Sequence, residues 1–334
     1  MSEDVQRGFS AGVSPRRWEY PERVKAYVGV TDFDWYTQLA SRPDLDEVNF
    51  WQPGGNRVFR ALEPGELFLF KLHAPHNAIC GGGLFAHATL LPVSLAWESF
   101  EVANGVSTLV EMRSRIAHYR RTAPKLHEDP TIGCILLEQP FFLPPEWWIP
   151  VPPDWHPNIV QGKNYDLLGD AGRALWRGVE AAIRSSRSGE NWPVQLGSGD
   201  SPRYGSPTLV APRLGQGSFR VLVTDAYERR CAVTAERVLP VLQAAHIRPY
   251  AHGGEHRVDN GLLLRSDLHT LFDRGYVTVT PTLQVSVSRR IRDDFENGRD
   301  YYALHGRTLR APSRAKDRPA AEFLTWHNEE AFLG

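Results

Sequence analysis

Cysteine is scarce. Cys80, Cys134 and Cys231 are the only three in 334 residues, and they stand far apart. No CxxC pair occurs, so a zinc ribbon is excluded and a disulfide scaffold is not expected. Such a chain fits a reducing compartment. Long apolar runs are missing too. No run of about eighteen apolar residues exists, so no membrane-spanning helix is expected. The opening MSEDVQRGFSAG lacks the apolar centre of a secretion signal, and the cytoplasm is the expected location. Excess charge is also absent: 38 Lys and Arg against 39 Asp and Glu leave a net charge of −1. The chain is no polycation, so any affinity for nucleic acid has to come from local basic patches.

The length suggests two domains. Ten Trp and 25 Pro are many, and both concentrate in the first half. Residues 1–24 read as a loose polar tail. TDFDWYTQLASRP carries a Thr/Asp start before apolar residues at helical spacing and predicts a short helix. VNFWQ, LFLFKL, AICGGGLFAHATLLPVSL and TIGCILLEQPFFL read as strands, with a bulge or close backbone approach at Gly81–Gly83. AWESFEVANG and TLVEMRSRIAHYRR read as helices. PPEWWIPVPPDWHP is too rich in proline for a regular helix. DLLGDAGRALWRGVEAAIRSSR predicts a connecting helix, and SGENWPVQLGSGDSPRYGSPT a linker.

Several strands with turn signals and one or two helices suggest a small mixed barrel. VNFWQPGG, LEPGELFLFK and AICGGG resemble the barrels of the PUA, SRA and EVE type, over roughly residues 25–165. That resemblance implies an aromatic pocket able to read a modified base, because stacking on aromatic rings returns part of the cost of extruding it. The candidates are Trp35, Tyr36, Phe50, Trp51 and Trp97, with Asn49 and Gln52 for the base edge. Core packing is the competing reading for each. Trp51 is favoured because Gln52, Pro53 and two glycines follow it.

The second domain centres on Arg230 to Gly275. His246 ends a β-prone run, Asn260 closes a Gly-rich loop, and His269 stands where helical spacing begins. A hydrolytic metal site needs a general base, a rigid loop and a cation ligand held close together. A strand, a loop and a helix can supply them in that order. AAHIRPYAHGG and DNGLLLRSDLHTLFDRG resemble the HNH nuclease motif, a β-hairpin and helix around one divalent metal. The resemblance implies that His246 is the general base, that Asn260 ties loop to strand, and that His269 binds the metal. Many members carry a further His where this chain has Asp273, which shares a helix face with His269 and suits a hard cation. Many place a metal ligand directly before the base, where this chain has Ala245. Arg248 and Arg265 are candidates to brace the phosphate. The segment VLVTDAY is too short for periodicity to separate strand from helix, and the resemblance favours helix. YVTVTPTLQVSVSRR predicts two short strands about Pro281-Thr282.

The expected fold is therefore α+β. An N-terminal PUA/SRA-like mixed β-barrel domain (25–165) is joined by a helix and linker (166–204) to a C-terminal ββα-metal (HNH) nuclease domain (205–334). The layout resembles modification-dependent, type IV restriction endonucleases. It implies cleavage of double-stranded DNA carrying modified cytosine, 5-methylcytosine first. The implied cofactor is one divalent metal per site, Mg²⁺ or Mn²⁺, with Zn²⁺, Ni²⁺ or Co²⁺ tolerated by imidazole. A homodimer is one way for a one-metal site to cut both strands. Two other readings stand beside this one: an HNH nuclease without modification sensing, and a catalytically silent nucleic-acid-binding module.

Overall fold

Alternation along the strands decides the first domain. The computed structural model describes residues 24–123, 128–186 and 215–334. The expected tail, apart from Val24, and the expected linker lie outside the described residues. In chain order come β1 (Lys25–Thr31), α1 (Phe33–Ala40), β2 (Glu47–Gln52), β3 (Leu67–Leu72), β4 (Ala78–Pro92), α2 (Val93–Phe100), α3 (Leu109–Arg120), β5 (Thr131–Phe142), β6 (Ile149–Pro150), β7 (Gly162–Asp166) and α4 (Asp170–Ser186). The sheet order is β2-β5-β4-β3-β1-β7, with β6 on β4. β1 and β3 run parallel, and the other pairs are antiparallel. The α+β class is as expected, but the expected barrel does not close: β2 and β7 are the ends of an open sheet among the described residues.

The sheet is buried on both faces, which is why LFLFKL reads as a continuous apolar run. Ala26, Val28, Leu67 and Leu69 point to one core, which α4 covers with Leu175, Val179, Ala182 and Ile183. Those four recur at helical spacing, so one stripe of α4 lies against the sheet. The helix expected as a connector is also a layer of the first domain. Tyr27, Phe68, Phe70 and Leu72 point to the other face, into an aromatic core with Trp35, Tyr36 and Phe50. Register shifts at Phe70/Lys71, Gly82/Leu84 and Phe85/His87 bend β4 between its neighbours. A Cβ at Gly82 would stand 2.6 Å from the Phe68 carbonyl oxygen, so only glycine permits that approach.

The second domain holds α5 (Gln216–Ala226), β8 (Leu242–His246), β9 (Gly261–Arg265), α6 (Ser266–Asp273), β10 (Val277–Val279) and β11 (Val285–Val287). The ambiguous VLVTDAY segment is helical, part of α5 and its end. β8 and β9 form one hairpin, and β10 and β11 form a second. Helix α5 joins the domains. Its Phe219 and Val223 face the second core, while Val221 lies in a cluster with α2, β4 and β5 residues. Polar contacts add to that junction. Glu47 on β2 accepts from the N–H groups of Gly217 and Ser218 at 2.6 and 2.8 Å. Arg220 reaches Glu98 at 2.7 Å, and His87 meets Asp225 at 3.0 Å. Among the described residues, no helix is long and apolar enough to cross a membrane.

Candidate functional site

The β8–β9 hairpin is built around a loop that must return tightly. His246 pairs with Gly261 at the loop end of the ladder. Asn260, fully buried, closes the loop with three hydrogen bonds. Its Oδ1 accepts from the Arg248 N–H at 2.9 Å. Its Nδ2 donates to the carbonyls of Arg248 and Glu255, each at 2.9 Å. Gly254 is required beside it, because a Cβ there would fall 1.8 Å from the Arg248 carbonyl oxygen.

That loop fixes His246. Its ring stacks on Phe219 of α5, with centroids 3.8 Å apart and planes 12° from parallel. Its Nε2 shares a 2.9 Å hydrogen bond with Nδ1 of His256. Burial, then His256, then His269 push the His246 pKa down to about 4. The imidazole is therefore neutral near pH 7 and able to take a proton.

Helix α6 supplies the opposite wall. The His269 Nδ1 meets Oε1 of Gln243, on β8, at 2.8 Å, and its Nε2 stands 3.2 Å from the Asp273 carboxylate. With Nδ1–H as the donor to Gln243, a neutral His269 turns a lone pair toward Asp273. Two acceptors at that distance repel unless a proton or cation lies between them. Two donors bound side by side to one cation at ~2.1 Å stand ~3 Å apart, and the observed spacing agrees. Burial raises the Asp273 pKa, and His269 opposes that rise. The donor set is thus one imidazole and one carboxylate, which suits a hard or borderline divalent cation. No cluster of three His, Cys, Asp or Glu in metal-binding geometry occurs among the described residues. Ala245, where a third ligand was sought, is buried in the core.

His246, His269 and Asp273 line one cleft of about 1070 Å³. Its other wall comes from the first domain and includes Asp46, Glu47, Glu98 and Glu101. Of the arginines considered for phosphate, Arg248 is held near this cleft. Its Nε donates to the His252 carbonyl at 2.7 Å, and the guanidinium lies 5.6 Å from the ring centre of Trp326, a lining residue. Arg265 is instead bonded twice to Asp267, both contacts at 2.7 Å, and does not line the cleft.

The residues expected around a base do not gather into one pocket. Trp35 is 4% exposed and meets Phe50 and Phe70 edge-on. Tyr36 donates its hydroxyl to the Leu143 carbonyl at 2.6 Å. Asn49 is fully buried and donates to Asn104 Oδ1 at 2.9 Å. For these three the core reading holds, because the sheet is buried on both faces. Trp51 is half-buried, with its Nε1 donating to the Asn104 carbonyl at 2.9 Å. Trp97 is half-buried on α2 against the neighbouring core. A cleft of about 550 Å³ does open nearby, lined by Asp32, Phe33, His76, Arg115, His118 and Tyr119 among others. Phe33 and Tyr119 are each 43% exposed, and Phe33 stacks on His76 at 4.6 Å. Asp32 was legible only as a helix start; its side chain makes no cap bond and accepts from the Tyr119 hydroxyl instead. His256, Gln243 and Phe219 are the other site residues that sequence reasoning missed. A histidine in the loop HGGEHRV was the available signal for the first.

Two solved structures are similar to this chain. The ASCH protein from Zymomonas mobilis is 9% identical, covering 46% of this chain and 94% of that one, with a TM-score of 0.32. The modification-dependent TagI restriction endonuclease is 15% identical, covering 91% of this chain and 81% of that one, with a TM-score of 0.27. A comparison with curated proteins gives no match. Residues 231–280 match the HNH_2 family, described as HNH endonuclease. That span contains the β8–β9 hairpin, α6 and β10, and it is an HNH endonuclease domain.

Proposed function

We propose that this protein hydrolyses phosphodiester bonds of double-stranded DNA with a divalent metal, and that its first domain directs cutting to modified cytosine, 5-methylcytosine first. The observation that carries the reading is the convergence of His246 with the His269–Asp273 pair in one cleft. Neutral His246 takes a proton from water as the water oxygen bonds to phosphorus. The leaving deoxyribose oxygen keeps the electron pair of the broken P–O bond. His269 and Asp273 would hold Mg²⁺ or Mn²⁺, which when bound neutralises charge on the phosphate and the leaving oxygen. Gln243 fixes the tautomer of His269, and Phe219 fixes the plane of His246.

For base selection, the cleft between Phe33, His76 and Tyr119 offers aromatic surface that stays open to solvent. Asp32 keeps acceptor capacity beyond its bond from Tyr119, which suits the exocyclic amine of a cytosine. Two copies on one duplex would cut its two strands.

The experiment is cleavage of methylated and unmethylated supercoiled plasmid with Mg²⁺ or Mn²⁺, by wild type and His246→Ala. Wild type is expected to cut the methylated plasmid preferentially, and His246→Ala to cut on the order of 10²- to 10⁴-fold more slowly. Equal cutting of both plasmids removes the modification-sensing half. A wild type that cuts neither leaves a binding module only.

A further inference from the structure

We propose that His256 is the positioning residue of the catalytic imidazole, accepting its Nε2–H and so leaving Nδ1 of His246 as the base. The inference rests on the nuclease reading and names a role that the motif residues do not cover.

The geometry allows two arrangements across the 2.9 Å contact between His246 Nε2 and His256 Nδ1. If His256 donated, both nitrogens of neutral His246 would be compromised: Nε2 would be spent as an acceptor, and Nδ1 would carry the proton. No nitrogen would remain to receive a proton from water. If His246 donates, Nδ1 is bare and aimed away from His256. Only the second arrangement makes a base. It also gains strength during the reaction. When Nδ1 takes the water proton, the ring becomes an imidazolium and its Nε2–H bond to His256 becomes charge-assisted. The proton later leaves from Nδ1 to solvent, and the neutral tautomer is restored without any net change in His256.

The surroundings hold His256 in place for this. Its ring lies nearly parallel to that of Tyr250, 13° apart with centroids at 5.4 Å, and Phe219 lies beyond at 5.8 Å. Asn260 anchors the segment through the Glu255 carbonyl, one residue before His256. The groups facing His246 are therefore Phe219, His256 and, by charge, His269. Of these, Phe219 cannot accept a hydrogen bond of this kind, and His269 is committed to Gln243 and Asp273. His256 is the acceptor the structure provides.

The test compares wild type, His256→Leu and His256→Asn in single-turnover cleavage of a methylated duplex with Mg²⁺. Duplex affinity is measured separately in EDTA, and nitrogen NMR of ring-labelled histidine reads the tautomer. The leucine variant keeps bulk but no acceptor. It is expected to cleave on the order of 10²-fold more slowly with unchanged affinity. In the asparagine variant Oδ1 stands near the place of Nδ1, and most of the rate should return. In wild type, His246 should carry its proton on Nε2. A leucine variant at the wild-type rate, an asparagine variant no faster than leucine, or a wild-type proton on Nδ1 would each overturn the assignment. If wild type cuts no duplex at all, it is the nuclease reading that fails, and the tautomer measurement still decides the role of His256.

Discussion

Glu138 sits beneath the domain junction with no exposed surface, and neither of its carboxyl oxygens has a protein hydrogen-bond partner. It lies opposite Glu47 on β2, the carboxylate that holds the start of α5. Burial first, then the charges of Glu47 and Asp46, push its pKa from 4.5 up to about 8. A carboxyl raised in this way contributes stability that is fully present below pH 4.5 and is lost as pH rises through 8. The unfolded chain releases the proton along that interval, and the folded chain does not. At ~1.4 kcal/mol per pH unit, keeping Glu138 protonated costs ~1 kcal/mol at pH 5 and ~3 kcal/mol at pH 7. Glu138→Gln removes the ionisation while nearly keeping the shape. The variant should therefore gain ~2 kcal/mol more over wild type at pH 7 than at pH 5. Urea unfolding followed by tryptophan fluorescence at the two pH values measures this, because the relevant quantity is the difference between two differences. A stability gap that stays constant between pH 5 and pH 7 would refute the argument: Glu138 would then be ionised in the fold or wet.

Asn260→Ala removes three hydrogen bonds inside the β8–β9 hairpin. A loss of ~3 kcal/mol is expected at about 1 kcal/mol each, seen as faster amide exchange at Arg248, with cleavage falling in step. Asp32→Asn and Phe33→Ala alter the exposed aromatic cleft. Each should lower the binding preference for methylated over unmethylated duplex in EDTA while leaving affinity for unmethylated duplex unchanged; a preference equal to that of wild type would place base selection elsewhere. His246 and His327 are both held down to about pKa 4, chiefly by burial. Their contribution is complete above pH 6.5 and is lost as pH falls through 4, so the second domain should unfold first in an acid titration followed by circular dichroism and NMR. His327→Phe should move that midpoint to lower pH.

The strands and helices were legible from local pattern: the apolar runs LFLFKL and TIGCILLEQPFFL, and the helical spacing of the helix from Asp170, all stand where the pattern places them. The order of His246, Asn260 and His269 was legible because the motif is local in sequence. Barrel closure was not, since it depends on registers such as those at Gly82/Leu84 and on which edges find partners. The fate of Trp35 and Asn49 was hidden for a related reason. A sheet buried on both faces uses the same residue types for core that an open pocket uses for stacking. His256 and Gln243 acquire meaning only through contacts ten and twenty-six residues away. Spacing within one element does not reveal such contacts.

The carboxylate of Glu47 grips the first turn of α5, and in that same turn Phe219 lies flat on the imidazole of His246. Sheet edge, acid, helix and ring thus form a short lever with its handle in one domain and its tip against His246. A shift of β2 would be passed through α5 to the plane of that imidazole. Under the proposed function, recognition and cutting would share one hinge pin.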